Sequence, residues 1–331
     1  MRVLIVGLGG IGRRHLANLR LIESAAHITI WHQHSKPEDA AEAPSAADYT
    51  VYSMEDALDT KPDMTLVTNP ASLHIETGLA FAQRGVHLFI EKPLSNTLDG
   101  VDELLDLCCQ RALVLMVGYN LRFYRPLQVM RQALQEGRIG CTIALRAEAG
   151  QYLPEWRPAS DYRQSVSARQ ELGGGVVLEL SHELDYVRWL VGEVKAVSAQ
   201  VGHLSDLEID VEDTAEIILQ FRNGAIGGIH LDMIQRPATR MCRIIGTEGT
   251  LTWDWFSHRV QLFSAATNRW SDLHPAKMID RNEMYIAELR HFLDCVRGKD
   301  KPDVSGDDGR RVLEIALAAK QSSQEQRVVE L

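Results

Sequence analysis

Lys92, in the tripeptide Glu91-Lys92-Pro93, stands 80 residues after the last glycine of the run Gly7-Leu8-Gly9-Gly10-Ile11-Gly12. A hydride-transfer site needs a proton-handling cation near its nucleotide, and a lysine at this distance can supply one. The glycine run follows the apolar segment Val3-Leu4-Ile5-Val6 and leads into Arg13-Arg14-His15-Leu16-Ala17-Asn18-Leu19. That order of strand, tight turn and helix start raises a weak G-x-G-x-x-G match to a dinucleotide-site candidate. Backbone N–H groups at a helix N-terminus approach a pyrophosphate closely only where side chains are absent, which selects Gly7, Gly9, Gly10, Ile11 and Gly12 as cofactor contacts. The alternative is a strand-to-helix turn that simply favours glycine.

The choice of cofactor turns on the end of the second strand, where an Asp or Glu would bind the ribose 2′-hydroxyl of NAD. The chain reads Trp31-His32-Gln33-His34-Ser35-Lys36 there. With no acid present, and with His34, Ser35 and Lys36 suited to a phosphate, the reading leans to NADP over NAD. His32, Ser35 and Lys36 join the expected cofactor contacts.

These residues need a scaffold, and 331 residues is long enough for two domains of ordinary size. Hydrophobic content of 45% and charged content of 24% are those of a soluble globular chain. A formal charge of −10 with no Lys/Arg stripe lacks the footprint of a nucleic-acid or anionic-membrane binder, so neither partner is expected. The five cysteines, Cys108, Cys109, Cys141, Cys242 and Cys295, have neither zinc nor disulfide spacing and read as buried, reduced thiols. No metal site is expected. Glycines and Arg13-Arg14 interrupt the N-terminal apolar run, no stretch is long enough to span a bilayer, and a cytoplasmic location is expected.

From residue 2 to about 118, short β-branched runs alternate with amphipathic helices, as a parallel sheet requires. Strands are expected at 2–6, 27–32, 64–68, 86–90 and 113–117, with helices at 11–23, 53–58, 73–83 and 97–111. Arg125-Pro126 opens a further helix, and a strand near 142–150 follows. Strands at 194–203, 213–221, 225–234, 240–246 and 250–255, with turns at Asn223-Gly224 and Glu248-Gly249, form one open antiparallel sheet. Helices at 283–297 and 307–322 close the chain and are expected to pack on the domain junction. The fold class is thus α/β: an N-terminal Rossmann dinucleotide-binding domain over 1–120, then an α/β domain over 121–331 with a large open, mostly antiparallel sheet.

With these motifs in order, the chain resembles the Gfo/Idh/MocA family of NAD(P)-dependent sugar oxidoreductases over nearly its full length. The resemblance rests on the glycine loop, Thr68-Asn69-Pro70 with His74, Glu91-Lys92-Pro93, Gly118-Tyr119-Asn120 with Arg122 and Phe123, and Gly173-Gly174-Gly175 to His182. Gly246-Thr247-Glu248-Gly249, Glu288-Leu289-Arg290-His291-Phe292 and Gly306-Asp307-Asp308-Gly309 complete it. It implies an active site in the cleft between the domains, with Lys92 beside the nicotinamide and Glu91 holding its turn. Thr68, Asn69, Pro70 and Asn120 would line the cofactor, and His74 would start a packed helix near it. A sheet face used for oligomer contacts is also implied, hence a homodimer or homotetramer.

Oxidising a secondary alcohol needs a base for the hydroxyl proton and a C–H held close to the nicotinamide. His182 is the expected base, because an imidazole titrates near neutrality. Lys92 would bond the same oxygen and stabilise the developing alkoxide. Glu179 precedes His182 by three, so one helix over 175–190 would put both on one face. The family pattern has an aspartate four residues before the histidine, so this chain departs from it in both residue and spacing. Asp185, one step further along that face, reads as a structural partner. The substrate, a carbohydrate-like small molecule, would meet Lys92, Arg122, Tyr152, Trp156, Arg157, Tyr162 and His182, with Arg163 and Arg169 as further candidates for an anionic group. Open alternatives are a solvated turn lysine at 92, a capping or buried histidine at 182, and a surface acid or ion pair at 179. The expected activity is hydride transfer between a nicotinamide and a secondary alcohol or ketone of a sugar, sugar acid or related ring. A reductase of a non-sugar imine or carbonyl, or a non-catalytic dinucleotide-binding protein, would share the fold.

Overall fold

The computed structural model of the chain describes residues 1–32 and 46–331. Internal contacts divide them into two units, Met1–Asn120 with Asn282–Arg310, and Leu121–Arg281 with Arg311–Leu331.

The first unit alternates strands β1 (Arg2–Val6), β2 (His27–Trp31), β3 (Tyr49–Val51), β4 (Met64–Val67), β5 (His87–Glu91) and β6 (Leu115–Gly118) with helices α1 (Gly10–Ile22), α2 (Met54–Asp59), α3 (His74–Ala82) and α4 (Val101–Gln110). All the strand pairs are parallel and the order is β3-β2-β1-β4-β5-β6, the doubly wound arrangement expected from the apolar runs. Leu4, Ile5, Leu66, Val67, Leu88, Phe89 and Ile90 are fully buried, as strands covered on both faces must be. The three-residue β3 was not anticipated, being too short to carry a periodic signal. Helix α4 begins later than expected because Gly100, at φ +71, turns the chain, and a Cβ there would lie 2.8 Å from Ile75 Cγ2.

Helix α5 (Arg125–Gln135) and strand β7 (Thr142–Gly150) open the second unit, followed by short helices α6 (Val176–Glu179) and α7 (His182–Val191). Strands β8 (Val194–Gly202), β9 (Thr214–Phe221), β10 (Ile226–Asp232), β11 (Thr239–Gly246), β12 (Gly249–Asp254), β13 (Arg259–Ser264), β14 (Arg269–His274) and β15 (Val329–Glu330) join β7 in a nine-stranded sheet. Its order is β14-β13-β12-β11-β7-β10-β9-β8-β15, and only β7 and β10 run parallel. Strand β9 states the logic of the sheet: Ala215, Ile217, Leu219 and Phe221 are buried, while Glu216, Ile218 and Gln220 between them are exposed. Strands β13 and β14 lay outside the expected set; β14 sits at the sheet edge with four of its six residues exposed, while β13 pairs on both sides.

Helix α8 (Asn282–Val296) packs on α1 in the first unit, where the Asn18 and Asn282 side chains exchange hydrogen bonds of 3.1 and 2.7 Å. Helix α9 spans Gly306–Glu325. The cysteines depart from expectation: Cys108, Cys242 and Cys295 are buried, but Cys109 and Cys141 are exposed. Cys108 lies on the inner stripe of α4, and its neighbour Cys109 is turned about 100° away. Burial alone pushes the Cys108 thiol up to about 11. No helix of the described residues is long and apolar enough to cross a membrane.

Candidate active site

Because the strands of the first sheet are parallel, the segments leaving their C-terminal ends line one edge of it. Those segments are the glycine loop after β1, His32 after β2, Thr68-Asn69-Pro70 after β4, Glu91-Lys92-Pro93 at the end of β5, and Gly118 to Asn120 after β6. Motifs scattered over more than a hundred residues are gathered by topology alone.

The glycines of the loop do two different jobs. Gly7 has φ +89, and a Cβ on it would stand 3.0 Å from the backbone of Asn69. A Cβ on Gly12 would stand 2.3 Å from the Gly7 carbonyl and 2.7 Å from Thr68 Oγ1. These two are required by the protein's own packing. Gly9 and Gly10 are exposed and have nothing among the described residues within 4 Å of the Cβ position, so packing against those residues does not explain them. Open space before the N-terminus of a 13-residue helix is what a dinucleotide pyrophosphate needs, with Ile11 in the same first turn.

Thr68 Oγ1 donates to the carbonyls of Val6 and Gly7, tying the β4 turn to the glycine loop. Asn69 Nδ2 donates to Thr77 Oγ1, whereas its buried Oδ1 has no partner among the described residues and is open to a ligand. The residues present therefore fit a dinucleotide. Pro70 caps the short turn that precedes α3. His74 is buried and acts through backbone: Nδ1 lies 2.9 Å from the Pro93 carbonyl and Nε2 2.8 Å from the Asn69 carbonyl. Burial holds its pKa below the ordinary histidine value, against the pull of those carbonyls and of Glu91.

Lys92 is half-buried, and its N–H donates to Glu91 Oε2 at 3.3 Å. The other Glu91 oxygen lies 2.6 Å from Nε2 of His15, a fully buried histidine that the sequence reading did not select. The signal was present: His15 shares the inner stripe of α1 with Gly12, Leu16, Asn18 and Leu19. Asn120 is buried and hydrogen-bonds the Tyr285 phenol, which burial raises in pKa. The His32 N–H donates to the Val51 carbonyl. Ser35 and Lys36, like His34, lie outside the described residues.

In the second unit the expected single helix over 175–190 is broken. α6 ends at Glu179, Leu180 has φ −99 and ψ 25, and α7 starts at His182, so helical i,i+3 geometry does not relate Glu179 to His182. Glu179 accepts a hydrogen bond from Ser167 Oγ at 3.0 Å. His182 is half-buried at the first turn of α7.

Arg122, expected among the substrate contacts, is placed otherwise. Its guanidinium makes three bonds of 2.6 to 3.1 Å with Asp185, and the two side chains are 4% and 0% exposed. An arginine held this way anchors structure, and Asp185 is the partner that satisfies it. Arg163 and Arg169 are likewise ion-paired, with Asp161 and Glu208 and with Glu171. The Tyr152 ring carries the Arg236 guanidinium 3.3 Å above its centroid.

Trp156, Arg157 and Tyr162 do come together. With Asp161, Gln164 and Ser165 they line a cavity of about 440 Å³, whose wall also includes Ser167, the donor to Glu179. Arg157 has no ion-pair partner among the described residues, while Trp156 Nε1 is spent on the Gln151 carbonyl. Among the described residues no group of three His, Cys, Asp or Glu side chains could hold a metal ion.

Comparison with known proteins agrees with this architecture. Residues 1–119 match the Gfo/Idh/MocA model described as an oxidoreductase family NAD-binding Rossmann fold, and residues 131–331 match its C-terminal alpha/beta domain. The chain is 30% identical to myo-inositol 2-dehydrogenase of Thermotoga maritima, over 100% of this chain and 98% of that one. It is 24% identical to scyllo-inositol 2-dehydrogenase (NAD(+)) of Bacillus subtilis, over 97% and 94%. Levoglucosan dehydrogenase in complex with NADH superposes with a TM-score of 0.89 at 23% identity, covering 100% and 98% of the two chains. The chain belongs to the Gfo/Idh/MocA oxidoreductase family, its first unit carrying that family's NAD-binding Rossmann fold.

Proposed function

We propose that this oxidoreductase interconverts a secondary alcohol and a ketone on a hydroxyl-rich ring, a polyol, sugar or sugar acid. The observation that carries the reading is the row of turns at one edge of the parallel sheet, where the open glycine loop and the half-buried Lys92 share an edge. A nicotinamide bound along that edge supplies the hydride acceptor. Gly9, Gly10 and Ile11 receive its pyrophosphate, and Thr68, Asn69, Pro70 and Asn120 line it, with Asn69 Oδ1 as an acceptor to be filled. The Lys92 ammonium donates to the reacting oxygen and stabilises it as its proton leaves. His182 takes that proton on its imidazole, and Glu179, held by Ser167, is the acid of the set.

The cavity of Trp156, Arg157 and Tyr162 offers aromatic surface interleaved with hydrogen-bonding groups, which suits a hydroxyl-rich ring. The inositol and levoglucosan dehydrogenases among the relatives support the same substrate class. The window Trp31 to Lys36 holds no acid, and its Ser35 and Lys36 favour the phosphorylated dinucleotide, although the scyllo-inositol dehydrogenase is named for NAD(+) and the levoglucosan dehydrogenase structure holds NADH.

On the outward face of the second sheet, Ile218, Ile226, Ile245 and Trp270 are exposed at alternating positions, which supports a homodimer or homotetramer formed through it. The five free cysteines accord with a cytoplasmic location.

The test begins with NAD⁺ and NADP⁺ offered with myo-inositol and a panel of polyols. Lys92→Met should lower kcat by about 100-fold or more while NADH binding persists. Full turnover by Lys92→Met on the substrate so identified would end the catalytic assignment. Ser35→Glu should weaken NADPH binding about tenfold, and an unchanged affinity would sink the preference for NADP.

A further inference from the structure

We propose that two buried histidines, His15 on α1 and His74 at the start of α3, are positioning residues that fix the turn carrying Lys92 from its two sides; this rests on the assignment of Lys92 to the reaction.

On one side the hold is through a carboxylate. His15 Nε2 lies 2.6 Å from Glu91 Oε1, and Glu91 Oε2 takes the N–H of Lys92. That carboxylate is seated on bare backbone, since a Cβ on Gly118 would stand 2.9 Å from Oε2. The His15 ring is held edge-on by Phe89, with centroids 5.2 Å apart, and by Tyr285 at 6.5 Å. Its Nδ1 is buried with no partner among the described residues, so among them Glu91 is the single polar contact of the ring. A buried N–H at Nδ1 would be left unsatisfied, so the favoured state carries its proton on Nε2 and donates it to Glu91.

On the other side the hold is through backbone. His74 sits between the Pro93 and Asn69 carbonyls, which lie 2.9 and 2.8 Å from its two ring nitrogens, and the ring donates to one of them when neutral and to both only when protonated. The residue before Lys92 and the residue after it thus each lie against a buried imidazole on a different helix. Both helices belong to the cofactor edge: α1 starts in the glycine loop and α3 follows the Thr68-Asn69-Pro70 turn. Neither histidine reaches solvent, so their contribution lies in where the Lys92 amine is presented. Misplacing a reacting group by about 1 Å costs on the order of 100-fold in rate, which makes such second contacts worth keeping.

The experiment compares His15→Leu, His74→Leu, His15→Gln and Lys92→Met with the native enzyme. Amide hydrogen exchange across residues 90–95 of the cofactor-free protein should rise about tenfold in both Leu variants, with β1 and β4 unchanged. NADH affinity should stay within about threefold, and kcat should fall about tenfold or more on the substrate that Lys92→Met fails to turn over. His15→Gln, which offers Glu91 an N–H again, should restore protection and kcat. Because Leu variants can fail to fold, ¹⁵N-histidine NMR of the native protein is the second measurement, and it should find the His15 proton on Nε2. A proton on Nδ1, native exchange in the Leu variants, or equal losses in His15→Gln and His15→Leu would each overturn the positioning role. Full turnover by Lys92→Met would overturn its premise, whereas an inactive Lys92→Met beside a fully active His15→Leu would overturn the positioning role alone.

Discussion

Alanine at Gly9 and alanine at Gly12 should have opposite consequences, although the two residues are three apart in one loop. At Gly9 the backbone has φ −68 and ψ −173, which alanine adopts without strain, and nothing among the described residues lies within 4 Å of the new methyl. Gly9→Ala should therefore leave stability unchanged or raise it by about 0.4–1 kcal/mol through the unfolded chain. The same methyl projects into the space before the helix N-terminus, so NADH should bind about tenfold or more weakly, about 1.4 kcal/mol. At Gly12 the methyl would meet the Gly7 carbonyl at 2.3 Å and Thr68 Oγ1 at 2.7 Å. Neither is free to yield: Thr68 Oγ1 is bonded to that carbonyl, and the Gly7 N–H to the Trp31 carbonyl. Gly12→Ala should cost about 2–3 kcal/mol of folding stability before any cofactor is added. Urea unfolding of the cofactor-free protein and NADH fluorescence titration separate the two quantities. A Gly9→Ala protein that binds NADH like the native one would refute the claim that the open space is the pyrophosphate's. Native stability in Gly12→Ala would refute the steric argument.

Two further outcomes follow from ion pairs in the second unit. Asp185→Asn leaves the Arg122 guanidinium buried without its carboxylate, so unfolding free energy should drop by about 3–5 kcal/mol. A drop under about 1 kcal/mol in urea titrations would mean that Arg122 is free to serve elsewhere. His230 bonds Asp232 at 3.0 Å and Glu216 at 2.7 Å, and these carboxylates push its pKa up to about 9. A raised folded-state value stabilises fully below the unfolded pKa, about 6.5, and the contribution is lost as pH rises through about 9. With 32% of the side chain exposed, the loss should be about 2 kcal/mol after screening. His230→Gln should flatten that part of the stability profile between about pH 6.5 and 9.5, and an identical decline in native and variant proteins would exclude His230 as its source.

The elements that frame the nucleotide edge could be read in the chain because each is written locally. Strands β1 and β5 carry the apolar runs 3–6 and 88–90, β4 is apolar apart from Thr65, and glycine marks the turn that must lie bare before α1. The nine-stranded sheet was legible where alternation is strong, as in β9, and illegible at β14, where an edge strand buries too little to leave a pattern. Residue type and order were enough to select Lys92, His182 and the Trp156 to Tyr162 segment as chemical candidates.

Partnership was not legible, because it depends on which distant groups meet. Arg122 and Asp185 are 63 residues apart, and nothing in either segment announces that one consumes the other. The turn between α6 and α7 rests on φ and ψ at Leu180 and Ser181, where a residue pattern compatible with one helix breaks. His15 and Glu91, 76 residues apart, meet because α1 and the end of β5 lie at the same sheet edge. Local physics, in the form of apolar periodicity and glycine's freedom, determined the Rossmann half and its loop from the sequence alone. Which charges are spent on structure was decided only by tertiary packing, because burial and pairing belong to the folded surroundings of a residue.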